Sequence, residues 1–393
     1  MKFTYKTTMI SCFVGSVVQA IIVNFVPLLF ITFQNTYNIP LSKITALVTV
    51  NFCVQLLTDV VAVRYADKIG YRASLVIAHT LSAIGLILLT FLPVIIDPFI
   101  GILISVMIYA VGGGLLEVVV SPVVESCPSD NKEKAMSLLH SFYCWGHVGV
   151  VLISTLFFKF AGINNWRILT LLWALIPIVN NFMFMKVPIV PLIPTGERGM
   201  TTVELFKNKV FLLMFVMILC AGASEQAVAQ WASAFAEKGL GISKTLGDLA
   251  GTMMFAVCMG VSRAFYGKCG DRINLDKFMI YSSLLCVVSY LVVAFAPHPL
   301  LSLAGCAICG IATGIMWPGT LSKSASMLRN GGTAMFALLA VGGDLGCSIG
   351  PTLVGTVADR LGGNMKLGIF TACIFPVLLA VCLIVNKERK KNI

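Results

Sequence analysis

Charge is what this sequence has least of. Only 11% of its 393 residues are Asp, Glu, Lys or Arg, where a soluble domain carries about 25%. Hydrophobic residues make up 58% of the chain. So little charge cannot cover a surface that faces water, and a soluble globular protein is excluded. Acids are scarcer than bases, 17 against 28, and there are four histidines. No nucleotide-binding glycine loop, nucleophile elbow or H-E-x-x-H helix occurs, so catalysis has no constellation to rest on and an enzyme is not expected. The basic residues are spread over many segments, so no exposed basic face is available and nucleic acid is not an expected partner. The thirteen cysteines run through apolar stretches, as at Cys12, Cys53, Cys220, Cys258 and Cys306. They read as small, reduced, buried thiols rather than disulfides or metal ligands. No cofactor and no metal are expected.

What is present is apolar length. Runs long enough to cross a bilayer fall at roughly 8–33, 44–63, 73–95, 99–126, 136–158, 166–187, 210–235, 245–266, 277–296, 300–322, 333–357 and 367–386, at about 20 residues per span. The first run follows Lys2 and Lys6 in the manner of a signal peptide. Its length, Gln19, Asn24 and the missing small-x-small pattern favour a retained first helix. The expected fold is all-α and integral to the membrane, with twelve transmembrane helices in two six-helix bundles. Connections are short except at 188–209, which holds Pro188, Pro191, Pro194, Gly196 and Gly199. The expected domains are therefore an N-terminal bundle at 1–187, a cytoplasmic linker at 188–209 and a C-terminal bundle at 210–393. With the N-terminus inside, inner segments hold 21 of the 28 basic residues, the group Arg263, Lys268, Arg272 and Lys277 among them, and outer segments hold 7. The bias predicts a multi-pass protein of the cell membrane with both termini cytoplasmic.

One acid stands out. Glu117 follows Gly112, Gly113 and Gly114 and precedes Pro122 within the fourth run. A carboxylate at a bilayer centre costs about 2.5–3.5 kcal/mol on insertion scales and is expected to face a polar cavity, a partner charge or a proton path. The glycines permit close helix approach, and Pro122 frees a carbonyl one turn back.

The two halves resemble each other. Asp67-Lys68-Ile69-Gly70-Tyr71-Arg72 matches Gly267-Lys268-Cys269-Gly270-Asp271-Arg272, Ser42-Lys43 matches Ser243-Lys244, and Gly146-His147-Val148-Gly149 matches Gly343-Asp344-Leu345-Gly346, at offsets of 204, 201 and 197. Two six-span repeats joined by an inner linker suit a carrier in which one bundle rocks on the other around a site at mid-membrane.

The inner-loop pattern is similar to the signature of the major facilitator superfamily, G-x-x-x-D-[RK]-x-G-[RK]-[RK]. The first copy keeps Asp67, Lys68, Gly70 and Arg72, with Val63 in place of glycine. The second keeps Gly267, Asp271 and Arg272. In physical terms these residues pair with helix ends and latch the inner gate. A narrower resemblance, to the fucose–galactose–glucose:proton symporter family, rests on Gly112 to Pro122, Ser141-Phe142-Tyr143-Cys144-Trp145-Gly146, Trp317-Pro318 and Phe33-Gln34. It implies a proton-coupled sugar importer with Glu117 as proton carrier. Two departures leave the solute open. Pro27 stands where the family's fucose carrier has an acid, and Tyr143 stands where that carrier has asparagine.

The expected solute-binding residues are Gln19, Asn24, Asn51, His140, Tyr143, Glu225, Gln226, Gln230, Trp317 and Asp344. Amides offer paired donors and acceptors for hydroxyls, histidine passes protons and Trp317 offers a flat platform. Asn51, Gln55 and Asp59 form a polar stripe at i+4 spacing. Trp145 and Trp231 read as packing residues. The expected partners are a small solute, a sugar by this reading, together with protons and the lipid bilayer, and the protein is expected to act as a monomer. Two rivals stand beside this reading. One is a proton-driven exporter of cationic or amphiphilic compounds, which would use the acids Glu117, Glu225 and Asp344. The other is a membrane nutrient sensor that binds without transport.

Overall fold

The computed structural model describes residues 3–39, 41–190, 192, 199–232, 235, 241, 251, 253–362 and 364–391. Ser243 and Lys244 lie outside the described residues, as do the side chains of Gln34, Arg64 and Asp67. Every regular element among the described residues is helical. In chain order these are α1 (Tyr5–Asn24), α2 (Phe30–Tyr37), α3 (Leu41–Ile69), α4 (Tyr71–Ile95), α5 (Pro98–Ser126), α6 (Lys132–Ala161), α7 (Trp166–Lys186), α8 (Thr202–Lys207) and α9 (Lys209–Ala229). They continue with α10 (Met254–Cys269), α11 (Leu275–Phe295), α12 (Pro299–Thr313), α13 (Met316–Met327), α14 (Gly332–Arg360), α15 (Met365–Thr371) and α16 (Ile374–Lys391).

Ten stretches of these helices are long and apolar enough to cross a membrane. The other two of the twelve expected spans fall on α3, whose apolar part is Val50–Val63, and on α10, which follows partly undescribed residues. Large apolar side chains such as Leu57, Ile95, Phe160, Phe182 and Leu300 are exposed, as a lipid-facing surface requires.

Local chemistry sets the helix limits. Asp97 accepts a hydrogen bond from Ile100 N at 3.0 Å and Pro98 follows it, which starts α5. Asn208 and Asn274 begin α9 and α11 in the same way. Gly70 opens α4 at φ +85°, a conformation that favours glycine. The first span differs from the expected single helix. α1 stops at Asn24, a 3₁₀ turn covers Val26–Leu29, and α2 resumes at Phe30. Pro27 lies in that turn, and without an N–H it cannot continue the helical ladder.

The chain groups into two compact units. The first contains Met1–Pro128, Trp145–Gly199 and Gly332–Ala337. The second contains Ser129–Cys144, Met200–Gly331 and Leu338–Ile393. The passage at Gly199–Met200 falls inside the 188–209 segment. Within the first unit, Tyr71 Oη and Thr333 Oγ1 are 2.6 Å apart, which holds the first turn of α14 there. Within the second, Ser137 donates to Arg263 O at 2.8 Å and Ser141 to Gly260 O at 3.1 Å, which holds the first half of α6 on α10.

The repeat noticed in sequence recurs in the packing inside each unit. A methyl group at Gly146 of α6 would stand 2.9 Å from Ala20 Cβ and 3.1 Å from Val17 Cα on α1. A methyl group at Gly346 of α14 would collide with Leu219 O and come 3.0 Å from Ala223 N on α9. These three pairs differ by 200, 202 and 203 residues, close to the sequence offsets.

Candidate functional site

Among the described residues, a polar centre lies in each unit where the lead span meets its second and fourth spans. In the first unit the glycine triplet builds it. A methyl group at Gly112 would stand 2.5 Å from Ser82 Oγ on α4, one at Gly113 2.9 Å from Gln19 Oε1 on α1, and one at Gly114 2.9 Å from Gln55 O on α3. Three helices thus close on α5 one turn before Glu117. Gln19 Nε2 donates to Gln55 Oε1 at 2.8 Å and to Glu117 Oε2 at 3.2 Å. Asp59 is fully buried, and its carboxylate lies within 4.8 Å of that of Glu117. Gln19, Asn51 and Gln55 are 9%, 6% and 2% exposed. Among the described residues, no protein group meets Gln19 Oε1, Asn51 Oδ1 or Gln55 Nε2. A buried polar atom left unmet costs about 1–3 kcal/mol, so these amides have hydrogen-bonding capacity to offer a solute.

The second centre is an acid–base cluster. Arg263, placed by the sequence among the inner-face charges, is 3% exposed. It lies six residues before the end of α10, about 9 Å along the axis at 1.5 Å per residue. Its Nη2 donates to Glu225 Oε2 of α9 at 2.9 Å, and its Nε to Gly314 O at 2.9 Å. Its Nη1 donates to His140 O and Cys144 Sγ of α6, both at 3.2 Å. Pro318 makes Gly314 O available, because the residue four positions on has no N–H to donate. Arg263 stands 204 residues after Asp59, so a base occupies the repeat position of an acid. The inner basic count falls to 20 against 7 outer residues, and the bias is unchanged in direction.

The other expected solute-binding residues are placed unevenly. Asn24 donates to Ala20 O of its own helix at 2.9 Å, where α1 ends. Gln230 is exposed and lies just past the end of α9, and Gln226 is half-buried with a long 3.5 Å contact to Glu225 Oε1. Trp317 lies against the backbone of Gly343, where any side chain would collide with its ring. Asp344 follows, half-buried. His140 and Tyr143 are half-buried on α6, and no protein group among the described residues meets His140 Nε2. Trp231 donates to Pro351 O at 2.9 Å, a packing role.

The inner-loop residues are held at helix ends. Arg72 donates to Phe184 O at 2.7 Å and Val187 O at 2.8 Å, capping the C-terminus of α7. Lys68 Nζ lies 5.8 Å from the centre of the Tyr65 ring. Gly267 passes close to Leu138, and Arg272 is exposed. Asp271 pairs with Lys134 and accepts from Asn131 Nδ2 at 3.0 Å, at the start of α6. The Lys134 hydrogen bond, above all, holds its carboxyl below the usual carboxylate range.

Sequence reasoning left Arg263 out of the solute-binding set and missed His79 altogether. His79 is fully buried. Its ring nitrogens lie 2.8 Å from Leu75 O and from Asn180 Nδ2, and Asn180 donates to Ser11 O at 3.0 Å, tying α1, α4 and α7. The signal was a lone histidine inside an apolar run. Among the thiols, Cys306 and Cys309 stand one turn apart on α12, with Cys286 Sγ 3.8 Å from Cys309 Sγ, a grouping the sequence reading did not single out. All three thiols are buried.

The sequence model of the Major Facilitator Superfamily matches residues 8–351. The Membrane protein MosC of Rhizobium meliloti is 23% identical over 278 residues, which span 68% of this chain and 66% of that relative, just under two thirds of its length. Among solved structures, the fucose:proton symporter FucP of E. coli superposes with a TM-score of 0.79 at 15% identity, over 97% of this chain and 98% of that one. FucP in the outward conformation gives 0.82 at 16% identity, over 96% and 98%. The proton:xylose symporter XylE bound to 6-bromo-6-deoxy-D-glucose gives 0.79 at 12% identity, over 96% and 94%. At these identities the structures attest to the fold. With the family match across most of the chain and ten apolar spans among the described residues, this multi-pass membrane protein belongs to the Major Facilitator Superfamily of transporters.

Proposed function

We propose that the protein is a secondary active transporter that imports a sugar or a related small polar solute together with protons, by alternating access. In this reading the halves 1–187 and 210–393, joined by the linker 188–209, act as the two moving bundles. The protein works as a monomer in the cell membrane with both termini in the cytoplasm, as the basic-residue bias supports.

The observation that carries the proposal is the first polar centre. Buried amides with unmet donors and acceptors adjoin Glu117, and Asp59 lies within 4.8 Å of it. Amides of this kind suit hydroxyl groups. Two carboxylates so close repel when both are ionised, and one proton relieves the repulsion. Glu117 takes up that proton and links it to solute binding through Gln19, which contacts both Glu117 and Gln55. The second centre contains its own counter-charge, since Glu225 is paired with Arg263. Glu225 is therefore a poor docking point for a cationic drug. The sugars for which FucP and XylE are named, fucose and xylose, accord with a neutral polyhydroxylated solute. MosC suggests no narrower class.

The test is Glu117→Gln in proteoliposomes, with the solute first found by a thermal-shift screen of sugars, polyols, nucleosides and cations. The amide mimics the protonated acid. Proton-driven accumulation should be abolished while counterflow exchange persists. Unchanged solute-induced proton uptake in the variant, or stabilisation by cations alone, would sink the proposal.

A further inference from the structure

We propose that Arg263 is a positioning residue. It fixes the α6 turn from His140 to Cys144, and with it the His140 and Tyr143 side chains that serve the solute, while Glu225 acts as its counter-charge and not as a solute ligand. The assignment of His140 and Tyr143 rests on the transport reading above.

The geometry separates the two roles. Of the four acceptors around the guanidinium, only Glu225 is charged. The others are Gly314 O, His140 O and Cys144 Sγ. Reaching neutral acceptors in three directions requires the planar fork of arginine, which a lysine point charge cannot supply. The side chains of Arg263 and Glu225 are 4% and 12% exposed, and a guanidinium buried without a counter-charge destabilises the fold, so Glu225 serves stability. The contact to α6 falls on both ends of one helical turn, at His140 and Cys144, with Tyr143 between them. Ser137 and Ser141 tie the same stretch of α6 to the α10 backbone. Pro318 is part of the arrangement, because a residue with an N–H at that position would compete with Arg263 for Gly314 O.

The experiment uses the full-length protein in lipid nanodiscs, with Arg263→Gln, Glu225→Gln, the double variant and Pro318→Ala. Three quantities are read. They are the melting temperature, ligand-free hydrogen exchange of α6 residues 136–144, and affinity for the sugar panel by calorimetry. Arg263→Gln should speed exchange in that segment and weaken sugar binding by about ten- to a hundredfold. Glu225→Gln still offers an amide oxygen to Nη2, so it should affect exchange and affinity less. The double variant removes both charges. It should recover melting temperature lost in Arg263→Gln but recover neither exchange protection nor affinity. Pro318→Ala alters no charge and should speed exchange in the same segment, which keeps the idea testable if Arg263→Gln does not fold. Recovery of protection and affinity in the double variant would overturn the proposal, as would Glu225→Gln matching the damage of Arg263→Gln. If the wild-type protein binds no sugar, the solute reading falls, and the exchange data alone still decide the role of Arg263.

Discussion

At the scale of single residues, the unmet amide groups distinguish function from stability. Gln55 is almost fully buried, and its Nε2 has no protein acceptor among the described residues. Replacing a buried, unmet donor with an apolar side chain of similar size does not cost the free protein that donor's hydrogen bond. Gln55→Leu also takes from Gln19 Nε2 its 2.8 Å acceptor, so the two effects should offset and leave the melting temperature little changed, while sugar binding weakens about tenfold, the trade expected of a residue kept for a ligand. A parallel loss of stability and affinity would instead mark Gln55 as helix glue. Calorimetry should likewise find Trp317→Ala more damaging to sugar affinity than Trp145→Ala, because Trp317 is half-buried within its unit and Trp145 is exposed. Gln19 and Glu117 were legible as candidates from their chemistry inside apolar runs. Their contact was not, because 98 residues separate them and no local pattern reports such a pairing.

At the scale of elements, the glycines of the fifth and eleventh spans make a sharp comparison. Gly146 and Gly346 each bring a helix into close contact with the lead span of its own unit, whereas a methyl group at Gly149 would meet nothing within 4 Å. Gly146→Val and Gly346→Val should each destabilise the purified protein by about 1–3 kcal/mol, the usual cost of overpacking, while Gly149→Ala should be silent in a melting scan. Equal effects at all three positions would mean that helix propensity, rather than helix contact, governs these sites. The spans themselves were readable because apolar length is a direct record of bilayer thickness. The break after Asn24 was not read, although Pro27 announces it. Arg263 was misplaced for a related reason. A basic residue near a span end looks topogenic until the helix is seen to run six residues further and a carboxylate 38 positions away is seen to face it.

At the scale of the whole molecule, the loop before α11 has a pH dependence of calculable direction. The carboxyl of Asp271 titrates below its ordinary value of 3.8 because Lys134 hydrogen-bonds its charged form. A depressed acid contributes stability that is present above the ordinary value and is lost as pH falls below it. The contact with Lys134 and Asn131 should therefore persist across about pH 5–8, so acidity in the working range does not release it. Asp271→Asn should mimic strong acid at neutral pH and raise labelling by an impermeant thiol reagent applied from the inner side. Unaltered labelling would reduce this loop to a topology signal. Arg72 shows how such a signal can conceal a second duty. It was counted toward orientation, yet its guanidinium spans two carbonyls at the end of α7. Topology mapping that neutralises inner arginines one by one will confuse inversion of the chain with fraying of a helix. Arg72→Lys separates the two, because it keeps the charge that the insertion machinery reads and gives up the two-pronged cap.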